Sequence, residues 1–294
     1  MYTYAKYTTP YVLDTLSKFS SGVVHSVYRS TINLSMSGNL ITLQAENSVL
    51  SPIGLITPWK KHEMDCLDVR VEDSVHYNDC TLQINDSLFI SIKDTKIQSP
   101  ILTSIECTDS LLALNSNILS SLLLKDTGGL NHLLINPRDD SLLPFLKVAQ
   151  IRIHNCEKCL SLGDWQSAAD SICKLVGLGI GLTPCGDDFL CGVLAGLTLC
   201  NLWTHPFSCF LRASLARQLS GTNEISAAFL RRALENQFSS PILSLSHLPT
   251  SQEIFDLFIK IGHSSGMDTL CGILFILQNH FLFDPTIKNK EPST

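Results

Sequence analysis

Gly186-Asp-Asp-Phe-Leu-Cys-Gly-Val-Leu194 and Gly266-Met-Asp-Thr-Leu-Cys-Gly-Ile-Leu274 repeat one pattern at two places in the chain. Both have a glycine, an aspartate two residues on, Leu-Cys-Gly and a closing leucine. Each copy follows an apolar-periodic segment and a short loop bearing hydroxyls, Thr183 in the first, Ser264 and Ser265 in the second. Such an echo predicts one supersecondary unit used twice: helix, glycine loop, aspartate-opened helix. The C-terminal half of the chain therefore reads as α-helical.

Working outward, the apolar spacing predicts a helix over Leu142–Leu160 and a second over Trp165–Leu175 with Asp164 as its N-cap. Gly177, Gly179 and Gly181 end that helix, and Pro184 stands where the next begins, over Asp187–Leu199. Further helices are expected over Phe207–Leu219, over Glu224–Leu234 capped by Thr222, and from Thr250 or Ser251 to Ile261. Gly262–Gly266 breaks the last of these, and Asp268–Gln278 closes the fold. Phe189–Leu211 carries no Asp, Glu, Lys or Arg, but its dense apolar run ends at Trp203 and starts at Asp187-Asp188. A spanning helix needs about 20 mostly apolar residues, so a buried helix is the expectation.

Upstream the period changes to that of strands. Val23–Arg29, Ile32–Met36 and Leu40–Ala45 are short strand-like runs with a turn at Gly38-Asn39; Thr81–Ile84 and Leu88–Ile92 flank Asn85-Asp86 as a second hairpin. The expected class is α+β: a β-rich domain, small barrel or sandwich, over residues 1–135; a helical domain carrying the Gly/Asp motifs over 136–283; and a polar tail over 284–294.

The chain has 294 residues, 45% hydrophobic and 16% charged, enough to bury substantial cores and unlike a disordered polymer. A net charge of −6 argues against a nucleic-acid partner. Met1–Lys18 has no apolar leader core, and the eleven cysteines then suggest free thiols in a reducing compartment, the cytoplasm.

A helix start leaves backbone N–H groups unpaired and its dipole favours negative charge, so two glycine-loop helix starts suit an anion. Asp187, Asp188 and Asp268 do not suit a bare anion; they suit a divalent metal such as Mg bridging to one, a substrate amide, or acid–base work. His263 in the second loop could donate to an anion or act as a base. The plainer alternative is that each aspartate only stabilises its helix start, by about 0.3–1 kcal/mol, while Gly192 and Gly272 permit close packing. Other signals are weak. Gly177-x-Gly-x-Gly181 follows a helix and not a strand, which disfavours dinucleotide binding. Cys156-x-x-Cys159 with His154 hints at a metal but has no second pair, and Cys185 has no identifiable base.

Gly179-Ile-Gly-Leu-Thr-Pro-Cys-Gly-Asp-Asp188 resembles the Gly-x-Gly-Leu-Thr-Pro-Ser-Gly-Asp-Asp signature of the AllH-like family, with Cys185 replacing serine. Gly262-His-Ser-Ser-Gly-Met-Asp268, Thr222-Asn-Glu-Ile-Ser226, and Val24-His-Ser-Val-Tyr28 with Asn33-Leu34 are similar to further family segments. The resemblance implies one subunit of an oxamate carbamoyltransferase of allantoin breakdown, exchanging a carbamoyl group between oxalurate and phosphate. It implies partner subunits and a small anionic substrate; no membrane partner is expected, on the broken apolar run at Phe189–Leu211. On this reading Asp187, Asp188, Asp268 and His263 carry catalysis, while Gly181, Thr183, Gly186, Thr222, Ser226, Ser264, Ser265 and Gly266 bind substrate. The alternative is a non-catalytic binding or scaffolding subunit.

Overall fold

A computed structural model describes residues 1–136, 142–262 and 264–283; His263 and the polar tail from 284 lie outside the described residues. The chain divides into two compact units, one of Met1–Ile101 with Phe238–Ser240, the other of Leu102–Gln237 with the residues from Pro241 on.

In the first unit, β1 (Tyr2–Tyr4) and β2 (Tyr7–Thr8) lead into α1 (Pro10–Lys18). There follow β3 (Ser21–Tyr28), β4 (Thr31–Met36), β5 (Asn39–Gln44), β6 (Gly54–Ile56), the short α2 (Lys61–Met64), β7 (Ser74–Asn78), β8 (Thr81–Ile84), β9 (Leu88–Ser91) and β10 (Lys96–Ile97). All ten strands form one sheet, ordered β1-β9-β8-β7-β3-β4-β5-β6-β2-β10. β1 and β2 stand near opposite ends of that order, yet only Ala5 and Lys6 separate them. Two residues reach ~7 Å, whereas the intervening strands laid flat would span ~38 Å. The sheet must therefore curl into a half-barrel. At its seam Ala5 N–H bonds the Ser91 carbonyl at 2.8 Å and the next amide, of Lys6, bonds Ile56 at 2.7 Å.

Alternating apolar residues of the strands fill this unit's core, joined by Val12 and Leu16 of α1. The β4–β5 hairpin turns at Ser37 and Gly38 with φ of +50° and +80°, the mirror-image turn that matches strand twist. Asn33 is buried but satisfied: its amide donates to Ser26 on β3 at 2.9 Å and its carbonyl accepts from Thr42 on β5 at 2.7 Å. These residues sit directly opposite one another in the register, so a polar rung crosses three strands beside a bulge at His25.

The strands stop earlier than the sequence reading grouped them. After Ile97 comes α3 (Thr108–Leu123), whose buried Leu111, Leu114, Ile118 and Leu122 recur at helical spacing. Then come α4 (Asn131–Ile135), α5 (Pro144–Leu162), α6 (Trp165–Cys173), α7 (Cys185–Leu199), α8 (Pro206–Gln218), α9 (Glu224–Leu234), the short α10 (Ser240–Ser244), α11 (Ser251–Phe258) and α12 (Ser265–Asn279). Asp164 caps α6 by accepting the Ser167 N–H, and Thr250 with Glu253 forms a capping box on α11. The cap of α9 is Asn223 rather than Thr222, because the Thr222 hydroxyl is engaged elsewhere.

α7 and α12, the two echo helices, are buried along almost their whole lengths and form the centre of the second unit. Their contacts are in register and reciprocal. A methyl added at Gly192 would stand 2.0 Å from the Thr269 carbonyl, and one at Gly272 would stand 2.0 Å from that of Phe189, its counterpart in the repeat. Gly196 lies against Ile276 in the same way, so the helices run parallel about a local pseudo-twofold axis. Ser265–Phe283 is long and apolar enough to cross a membrane, but 72% of its most apolar window is buried, the mark of a core helix. Gly192→Ala gains about 1 kcal/mol of helix propensity but must push the backbones apart, costing about 1–3 kcal/mol or more. A net fall in thermal midpoint is expected on melting, with a similar fall for Gly272→Ala.

Candidate functional site

Because α7 and α12 are parallel, their N-termini meet at one end. Thr183, just before α7, and Ser265, the first residue of α12, share a hydrogen bond of 2.8 Å between their hydroxyls. Asp188 and Asp268 follow on the two helices and face each other electrostatically, and the hydroxyls of Ser265 and Thr183 stand beside the Asp188 carboxyl. Two helix starts supply together about one positive charge, against two carboxyl groups.

Asp268 is fully buried. Its Oδ1 accepts the Leu130 N–H at 2.6 Å and its Oδ2 has no partner among the described residues. Burial pushes its pKa from the ordinary 3.8 up to about 7, opposed by the Leu130 amide and the Ser264 hydroxyl. Asp188 is half-buried as a residue, but its Oδ2 is buried and, among the described residues, also without a partner. Its pKa is raised well above the usual range, by burial first and then by the charge of Asp268. Two buried carboxyls that repel each other hold at least one proton between them at neutral pH.

Asp187 has a different task. Its Oδ1 accepts the Gly177 N–H at 2.9 Å, and its Oδ2 accepts the hydroxyls of Ser226 at 2.7 Å and of Thr222. Thr222 and Ser226 are thus tied to Asp187 and hold the loop before α7 to the start of α9. Gly186 and Gly266 are packing positions: added methyls would meet the carbonyls of Leu175 and Phe258 at 2.1 and 2.0 Å, and the Gly186 N–H is already bonded to Leu178. Gly181 is exposed, with a left-handed φ of +100°. The structure gathers Thr183, Asp188, Ser264, Ser265 and Asp268, and ties Thr222 and Ser226 to the neighbouring Asp187.

Cys185 is buried, its thiol donates to the Leu178 carbonyl, and burial with the neighbouring aspartates pushes its pKa up to about 12. It is no thiolate nucleophile. Cys156 is a buried thiol rather than a surface ligand. Among the described residues no group of three or more His, Cys, Asp or Glu could hold a metal ion. The sequence reading missed the segment Asp126–Leu130, whose Leu130 amide seats Asp268; the only sequence signal for it is the Gly128-Gly129 pair.

A curled sheet followed by helices around a paired-helix centre defines a two-part α+β protein. Residues 5–97 match the AllH family N-terminal domain, and residues 175–277 match the family described as oxamate carbamoyltransferase subunit AllH. The chain belongs to the AllH family, and as such is a carbamoyltransferase subunit that works with other subunits. No solved structure matches it.

Proposed function

We propose that the end shared by α7 and α12 holds the carbamoyl-bearing small molecule of an oxamate carbamoyltransferase complex acting in purine breakdown. The observation that carries this reading is the pair of buried carboxyl oxygens without a partner among the described residues, Asp188 Oδ2 and Asp268 Oδ2. A buried acceptor without a partner costs about 1–3 kcal/mol, which an amide N–H would offset. The hydroxyls of Thr183, Ser264 and Ser265, with the two dipoles, suit the anionic oxygens of the same ligand.

In the reaction the N–C bond of oxalurate breaks and a C–O bond to hydrogen phosphate forms. The proton of the phosphate is passed to the oxamate nitrogen that leaves. A carboxyl pair with one shared proton can receive the first proton and give up the second. The free state of all eleven cysteines supports a reducing compartment, the cytoplasm.

Thermal-shift titration of the chain, alone and with its partner subunits, with oxamate, carbamoyl phosphate and phosphate tests the reading. A ligand at one hundred times its Kd stabilises by about 2.7 kcal/mol, a shift of several degrees. Ser265→Ala should weaken that response at least about tenfold. If none of the three probes shifts the midpoint in either setting, the aspartate pair is a packing device and the scaffolding reading takes its place.

A further inference from the structure

The aspartate pair has a neighbour belonging to neither matched segment. Between α3 and α4 runs Lys125-Asp-Thr-Gly-Gly-Leu-Asn-His132, with Gly128 and Gly129 in left-handed conformations of φ +76° and +61°. Besides the Leu130 amide on Asp268 Oδ1, Gly129 packs so closely that a methyl there would meet that oxygen at 2.4 Å. The turn is clamped from within. Asp126 Oδ1 accepts the Gly128 N–H at 2.9 Å, and its Oδ2 pairs with His132 Nδ1 at 2.6 Å. Asn131 is fully buried; its amide nitrogen donates to the Lys125 carbonyl at 2.9 Å, and its Oδ1 has no partner among the described residues.

We propose that this turn is a specificity wall of the same site: by occupying Oδ1 of Asp268 it leaves Oδ2 as a bare acceptor, so that ligands bearing N–H groups are selected over carboxylates of the same shape. The inference rests on the reading given under Proposed function. Its physical basis is that, among the described residues, the orphaned atoms beside the turn are oxygens that accept: Asn131 Oδ1 at any pH, and Asp268 Oδ2 once that carboxyl ionises above about pH 7, with the proton of the pair resting on Asp188. Acceptors gain hydrogen bonds from an amide or ureido nitrogen and repel a carboxylate oxygen. A site built to bond an N–H discriminates strongly against an analogue that lacks it.

Oxamate and oxalate are the matched probes, since they differ by an amide nitrogen against an oxygen. At pH 8 the wild-type chain, with its partner subunits where these are needed, should respond to oxamate at a concentration at least about tenfold lower than to oxalate. Gly129→Ala brings a methyl onto Asp268 and should cut that preference below about threefold. Gly128→Ala imposes comparable left-handed strain with nothing within 4 Å of its methyl, and should keep the preference. Should Gly129→Ala fail to fold, Asp126→Asn, at the partly exposed clamp, reads the same effect and should lower the preference severalfold. The inference is overturned if Gly129→Ala, or Asp126→Asn in its place, keeps the full preference, or if Gly128→Ala loses as much. A wild-type chain that responds to neither probe brings down the carbamoyl-site reading and this inference together. A wild-type preference indifferent to the turn brings down only the second.

Discussion

Asp187→Ala lowers the thermal midpoint by on the order of 10 °C. The side chain is almost wholly buried and accepts from the Gly177 amide and from the hydroxyls of Thr222 and Ser226. Removing it strands a part-buried backbone donor and two hydroxyls at once. Charged hydrogen bonds contribute about 1.5–3 kcal/mol each, and the loss of such a hub costs about 3–5 kcal/mol. At about 2–4 °C per kcal/mol for a unit of this size, the shift is easily measured. Asp187→Asn should cost less than half as much. Its carbonyl can still take the Gly177 amide, and the hydroxyls can turn to accept from its nitrogen. Scanning calorimetry of both variants, with ligand response measured beside it, decides the role. A wild-type midpoint with ligand binding lost would place Asp187 among the ligand contacts.

Asp187 and Asp188 also show where reading the sequence stops. The echo made Gly192 and Gly272 legible as equivalent positions, and their reciprocal contact with Thr269 and Phe189 follows from it. Adjacent aspartates at one helix start look alike on paper. They separate only because successive helical residues point about 100° apart, one toward α9 and one toward α12. The seam of the half-barrel was illegible for a similar reason: β1, β2 and β10 are two or three residues long and carry no period of their own. They are strands because of what they pair with. Asp126–Leu130 was missed because its backbone amide, not a side chain, does the work, and its proximity to Asp268 spans 138 positions. The β-rich character of the first hundred residues was plain from alternation. The extent to 135 was not, since α3 is rich in Ser and Asn, residues common in turns.

Asp268→Asn should raise stability at pH 8 while impairing ligand binding. Folded Asp268 keeps its proton up to about pH 7, whereas the unfolded side chain loses it at the ordinary 3.8. Between those values the folded state binds more protons than the unfolded one. Stability from this group is therefore full below the unfolded pKa and falls as pH rises to about 7, remaining low above it. The interval corresponds to ~4 kcal/mol at most, shared with Asp188, to which the carboxyl is coupled. An asparagine at 268 cannot ionise. Its carbonyl still accepts the Leu130 amide, and its nitrogen replaces the orphaned Oδ2 with a donor facing Asp188. The difference in midpoint, variant minus wild type, should be near zero at pH 4.5 and positive at pH 8. At pH 8, where wild-type Asp268 is ionised, that donor would oppose the N–H of a bound amide, weakening oxamate by roughly tenfold to a hundredfold. A group that destabilises its own fold at working pH is what a functional carboxyl, rather than a helix-start ornament, should look like. If Asp268→Asn instead melts lower at both pH values and binds oxamate as the wild type does, the carboxyl serves only to seat the Gly128–Leu130 turn.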